Sequence, residues 1–158
     1  MKTLIICRSY HHKNTEKVAS AIAAVLKAEV KVPADVDLNS VSGYDLIGFG
    51  SGIYFGKPDK TLLELADKLP QAKGKKAFIF STSGQTGNVK DKFHRRLREK
   101  LQAKGFTIAG EFNCGGFDTY GLLKIGGGVN KGHPDQDDLK KAEEFAQSLN
   151  QPVTVVKS

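Results

Sequence analysis

Runs of β-branched and aromatic residues alternate with amphipathic helical patterns along nearly the whole chain, and this alternation restricts the possible folds. Apolar runs occur at Thr3 to Cys7, Leu46 to Gly50, Ala77 to Ser81 and Thr107 to Cys114, and a weaker one at Glu29 to Val32 completes five. Between them apolar residues recur at helical spacing. They are Val18, Ile22, Val25 and Leu26 within Glu16 to Lys27, then Leu62, Leu63, Ala66 and Leu69 within Asp59 to Leu69. Phe93, Leu97 and Leu101 form a third stripe within Lys90 to Lys104. A fourth helix is expected from His133-Pro134-Asp135, with proline in the first turn, Asp135, Asp137 and Asp138 complementing the dipole, and Leu139, Ala142, Ala146 and Leu149 inside. Strands joined through such helices need right-handed crossovers, hence a parallel sheet covered on both faces. The expected class is α/β, a doubly wound five-stranded parallel sheet in a single domain over residues 1–158. The polar connection Pro33 to Tyr44 is expected to cross the surface, and the tail Pro152 to Lys157 either adds an edge strand or frays.

A chain of 158 residues can bury a core without disulfides. Cys7 and Cys114 each end an apolar run and show no zinc-ligand spacing, so they read as buried thiols of a reducing cytoplasm. Met1 leads into a charged residue and a short strand, with no signal-like or membrane-length apolar stretch, so the expectation is a soluble, cytoplasmic protein and no membrane partner. The net charge is +7. Much of the excess lies in Lys90, Lys92, Arg95, Arg96, Arg98, Lys100 and Lys104, around the third apolar stripe, and reads first as a solvated helix face. No aromatic interleaving or helix-turn-helix pattern supports a nucleic-acid partner.

In doubly wound sheets, function is read at the loops beyond the carboxyl ends of the strands. After the first strand comes the basic loop Ser9-Tyr10-His11-His12-Lys13-Asn14-Thr15. It leads into a helix whose unpaired N–H groups can receive a phosphate, or whose Asn14 or Thr15 simply caps the turn. After the third comes Ser51-Gly52-Ile53-Tyr54-Phe55-Gly56-Lys57-Pro58, after the fourth Ser81 to Asn88 with Thr82, Ser83 and Gly84, and after the fifth Asn113 to Gly121. One anion-binding loop with three glycine-bearing loops suits a flat aromatic ligand with a phosphate tail.

These loops resemble those of the flavodoxin family. The resemblance covers nearly the whole length and is carried by Ser9 to Lys17, by Tyr44 to Gly56 and by Gly126 to Asp135. It implies strand order 2-1-3-4-5 and noncovalently bound FMN as cofactor. Ser9, His12, Asn14 and Thr15 would then meet the phosphate, with Tyr10, His11 and Lys13 completing the loop. Ile53, Tyr54 and Phe55 would line the flavin ring between Ser51, Gly52 and Gly56, and Thr82, Ser83 and Gly84 would approach its pyrimidine side. Lys13 departs from the glycine usual in such loops, and the basic charge departs from the acidic character of many electron-transfer flavodoxins.

The implied function is low-potential electron transfer by a monomer, with redox partner proteins that the basic charge makes acidic, such as a ferredoxin. The alternative is an FMN-dependent NAD(P)H or quinone reductase or a protoporphyrinogen-oxidase-like enzyme, with His11, Tyr54 or Asp118 as acids. Gly48-Phe49-Gly50-Ser51-Gly52 does not match the dinucleotide fingerprint. A phosphorelay receiver is excluded because Cys7-Arg8 and Gly50-Ser51 stand where Mg²⁺-binding carboxylates would be needed.

Overall fold

The alternating pattern folds as a parallel sheet between two helical layers. The structure, a computed structural model, describes residues 1–8, 14–54, 57–83, 90–115 and 134–150. Its strands are β1 Thr3–Arg8, β2 Glu29–Lys31, β3 Leu46–Tyr54, β4 Lys57–Pro58, β5 Lys76–Ser83 and β6 Thr107–Gly115. Its helices are α1 Asn14–Leu26, α2 Lys60–Lys68, α3 Lys90–Ala103 and α4 Gln136–Asn150. The main path is β2-β1-β3-β5-β6, with every neighbouring pair parallel. This is the expected five-strand order. The two-residue β4, which the sequence pattern does not announce, pairs antiparallel with the end of β3 through Ile53↔Pro58 and Tyr54↔Lys57.

Strand alternation sends side chains to the two layers in turn. Ile5, Cys7, Phe78, Phe80 and Cys114 pack with Val18, Ala19 and Ile22 of α1 and Ala142 and Ala146 of α4. Leu4, Ile6, Ile47, Phe49 and Ile79 pack with Leu62, Leu65 and Ala66 of α2 and Leu97 and Leu101 of α3. Gly48 and Gly50 lie in register with Phe78 and Phe80. A Cβ at Gly48 would come 2.2 Å from Phe78 Cζ, and one at Gly50 would come 2.0 Å from Phe80 Cζ. These glycines are slots for two stacked rings whose centroids lie 6.0 Å apart.

Several boundaries move. Ser51–Tyr54 and Thr82–Ser83 belong to strands, because pairing among β3, β5, β4 and β6 continues the ladders past the apolar runs. Pro33–Tyr44 is not simply a surface connection. It makes 3₁₀ turns at Pro33–Asp35 and Leu38–Gly43, Val41 and Tyr44 are buried, and Leu38 packs against the core. The three-residue period of that helix type aligns Leu38, Val41 and Tyr44 on one side. Pro134 precedes the first turn of α4 instead of entering it, because Asp135 is the cap: Asp138 N–H donates to Asp135 Oδ1 at 2.9 Å and Asp135 N–H to Asp138 Oδ2 at 3.0 Å. A β-bulge shifts the β5–β6 register between Ala77 and Phe78, so Ile108 and Glu111 both face the α2/α3 side despite their odd separation. The tail Pro152 to Lys157, for which an edge strand and fraying were both open, lies outside the described residues.

Candidate functional site

The chain leaves β1 toward β2 on one side and β3 toward β5 on the other, so the β1–β3 pair is the topological switch point. Register brings Arg8, Ser51 and Ser81 abreast, and one step further Gly52, Thr82 and Cys114. Helix α1 begins at Asn14, and its first-turn N–H groups have no acceptor within the helix. Asn14 and Thr15 are buried, so this helix start is enclosed by the strand ends. Thr15 Oγ1 lies 2.8 Å from Thr82 Oγ1, tying α1 to the end of β5.

The remaining expected site residues divide by location. The Ser51 hydroxyl is buried, donates to the Gly52 carbonyl at 2.8 Å and accepts the Asp59 N–H at 3.0 Å. Asp59 Oδ1 accepts the Thr61 N–H at 2.9 Å, so Ser51 anchors the cap of α2. Ile53 is half-buried at the β3–β4 hairpin, with Tyr54 the last residue of β3. Ser83 closes β5 and is buried. Ser9, Tyr10, His11, His12, Lys13, Phe55, Gly56 and Gly84 lie outside the described residues, as do Asp118 and the segment Gly126 to His133.

Below Ser83 the structure assembles a polar chain that the apolar stripe of α3 conceals. Ser81 Oγ lies 2.6 Å from His94 Nε2, and His94 Nδ1 lies 3.0 Å from Glu111 Oε1. Arg98 donates to Glu111 through Nε at 2.9 Å and Nη2 at 3.0 Å. Asn113 Nδ2 donates to Ser81 Oγ at 2.8 Å and reaches Ser83 Oγ at 3.3 Å. The order serine, histidine, glutamate matches a hydrolytic triad in connectivity only, because Ser81 and His94 are 1% and 0% exposed and no substrate reaches the hydroxyl. A signal for His94 exists in the sequence: it stands three and seven residues before Leu97 and Leu101, inside the buried stripe.

Burial pushes the Cys7 thiol up to about 12, with Glu16 adding to the effect, and burial pushes Cys114 up to about 12 as well, with Asp138 and Asp135 contributing. Neither is a thiolate nucleophile at neutral pH. Among the described residues no group of His, Cys, Asp or Glu could hold a metal ion, and no helix is long and apolar enough to cross a membrane.

The donor set at the switch point consists of α1 first-turn N–H groups, the Asn14 amide, the Thr15 and Thr82 hydroxyls and the Arg8 guanidinium. That is chemistry for an anion, held by dipoles and hydroxyls more than by formal charge. The fold and site thus define a doubly wound α/β protein with hydrogen-bonding groups gathered at the carboxyl ends of its strands. Comparison with known proteins narrows the class. The Flavodoxin domain family matches residues 5–121. An uncharacterized protein of Methanocaldococcus jannaschii is 53% identical over 149 residues, 94% of this chain and 98% of that one. Oxidised flavodoxin 2 from Bacillus cereus superposes with a TM-score of 0.70 at 18% identity over 95% of this chain and 98% of its own. A flavodoxin from the domain Archaea gives 0.59 at 19% identity over 96% and 100%. The chain belongs to the flavodoxin family, and membership implies a flavin cofactor.

Proposed function

We propose that the protein is a flavodoxin-type electron carrier that holds FMN noncovalently at the switch point. The observation that carries this reading is the buried start of α1, clasped to β5 by the 2.8 Å Thr15–Thr82 hydroxyl contact. FMN supplies reversible electron uptake and release. The first turn of α1, with Asn14 and Thr15, binds its phosphate, helped by the loop Ser9 to Lys13. Ile53 and Tyr54 with Phe55 cover the ring, and the strand end at Thr82 and Ser83 orients its polar edge. Ser51, committed to Gly52 and the α2 cap, supports the hairpin and leaves contact with the ring to its neighbours.

No acid or base is needed for this work, which agrees with side chains at the strand ends that are already engaged in holding one another. The exposed cations Lys92 and Arg96 in the first two turns of α3 favour an acidic redox partner such as a ferredoxin. Titration of the purified protein with FMN tests the reading. Stoichiometric uptake, seen as quenched flavin fluorescence and a shifted visible spectrum, with negligible steady-state oxidation of NAD(P)H, is the expected result. Absence of uptake overturns the cofactor, and rapid NAD(P)H oxidation with a quinone replaces the carrier by a reductase.

A further inference from the structure

The ladder between β3 and β4 lacks a rung at its base, and a side chain supplies it. Strand β3 leaves the main sheet at Gly52, whose pairing with Thr82 is its last with β5, and runs on against β4 through Ile53↔Pro58 and Tyr54↔Lys57. In that register Gly52 stands opposite Asp59. Pro58 has no N–H, so Ile53 and Pro58 cannot exchange a pair of bonds, and by alternation Gly52 and Asp59 are the pair that should. Instead the Asp59 N–H goes to Ser51 Oγ at 3.0 Å, and the Ser51 hydroxyl donates to the Gly52 carbonyl at 2.8 Å. One hydroxyl thus stands between the donor and the acceptor of a ladder bond. It spreads the two arms of the hairpin by an oxygen atom while leaving both backbone groups satisfied.

Both ends of this bridge are fixed. Ser51 pairs in register with Arg8 on one side and Ser81 on the other, so it belongs to the centre of the sheet. The Asp59 carbonyl accepts the Leu62 and Leu63 N–H groups, each at 3.1 Å, its Oδ1 accepts the Thr61 N–H, and Leu62 is wholly buried in the core. Ser51 and Asp59 are 1% and 5% exposed, so water does not compete for the hydroxyl. The bridge therefore sets the spacing between an immobile strand and an immobile helix start, and with it the angle at which the hairpin and Ile53 stand off the sheet. We propose that Ser51 is a positioning residue for the flavin ring, its hydroxyl holding the hairpin that covers the ring without touching the ring itself. The inference rests on the FMN reading given above.

The experiment compares Ser51→Ala, Ser51→Cys, Ser51→Thr and Asp59→Ala by FMN titration, flavin midpoint potential and thermal unfolding. Alanine removes the bridge, cysteine keeps the shape with a weak donor and acceptor, and threonine keeps the hydroxyl. Asp59→Ala removes the carboxylate that caps α2 but keeps the backbone N–H that enters the bridge, so it reports on stability alone. The expected result is FMN affinity weaker by about tenfold in Ser51→Ala and Ser51→Cys, roughly the loss of one oriented hydrogen bond. The midpoint potential shifts in the same two variants. Ser51→Thr and Asp59→Ala stay within about twofold of wild type in affinity and keep its potential, although Asp59→Ala melts lower. A folded Ser51→Ala or Ser51→Cys protein with wild-type affinity and potential overturns the inference and leaves the FMN reading intact. So does a Ser51→Thr protein as impaired as Ser51→Ala, and so does an Asp59→Ala protein that reproduces the Ser51→Ala changes, which would assign them to the cap of α2. A wild-type protein that takes up no FMN overturns the function reading and this inference with it.

Discussion

At the residue scale, the most constrained positions are glycines that no turn requires. Gly48 and Gly50 sit in the centre of the sheet because Phe78 and Phe80 lie across them, and those rings cannot withdraw: they stack on each other, and Phe78 also meets the Phe145 ring edge-to-face at 6.0 Å. A methyl at Gly50 overlaps a buried ring on a face already filled by α1 and α4. Gly50→Ala is therefore expected to destabilise by about 1–3 kcal/mol, the usual range for overpacking a close-packed core. Urea unfolding should show a lower midpoint with an unchanged slope. A midpoint equal to wild type would mean that Phe80 has somewhere to go. The glycine spacing was visible in the sequence, and its failure to match a dinucleotide fingerprint was too. Its purpose was not, because a slot is defined by a partner on another strand.

At the element scale, helices were legible where one face is buried and one exposed, since periodicity records that asymmetry, and the central strands as apolar runs, since the sheet is covered on both faces. Helix α3 is the clearest case, with Phe93, Leu97 and Leu101 all buried. The two-residue β4 carries no period, and the 3₁₀ turn Leu38–Gly43 has a period that helix and strand templates both miss. The cationic surface of α3 was equally plain, but only the structure sorts it. Arg95 pairs with Glu99 at 3.0 Å, Lys100 with Asp67 at 2.7 Å and Arg98 with Glu111, which leaves Lys92 and Arg96 as exposed charges among the described side chains in the first half of the helix. Because α3 follows the carboxyl end of β5, that half lies at the same end of the sheet as the candidate site. Exposed charges act on encounter more than on stability. The rate of electron transfer from a reduced ferredoxin should thus fall as ionic strength rises, and Lys92→Glu with Arg96→Glu should slow it at low salt by about tenfold or more. A rate indifferent to both salt and charge reversal would remove α3 from the docking surface.

At the scale of the whole molecule, the doubly wound sheet could be read from the chain, and so could the switch point between β1 and β3, because topology alone sets it. The side-chain contacts at and below the strand ends could not be, since Thr15 meets Thr82 and Ser81 meets His94 across 67 and 13 residues of sequence. The two cysteines show how burial in this architecture becomes a property of the entire fold. Cys7 and Cys114 lie on different strands but under the same helical layer, 5% and 7% exposed. Each thiol is raised from an ordinary value of 9.0 to about 12 by the loss of water around it. The unfolded chain therefore releases these protons first. Stability from this source is complete below about pH 9, where both states keep the thiols protonated, and it falls between about 9 and 12, where only the folded state holds them. Linkage sets an upper slope of roughly 1.4 kcal/mol per pH unit for each thiol. Urea unfolding at pH 8, 9, 10 and 11 should show wild type losing stability more steeply than Cys7→Ala/Cys114→Ala, although the double variant starts lower at pH 8 for want of two buried groups. Lysine titration affects both proteins alike, so the difference between their slopes isolates the thiols. Parallel loss in the two proteins would show that the thiols ionise in the folded state as readily as in the unfolded one, and that the layer beneath α1 and α4 admits water.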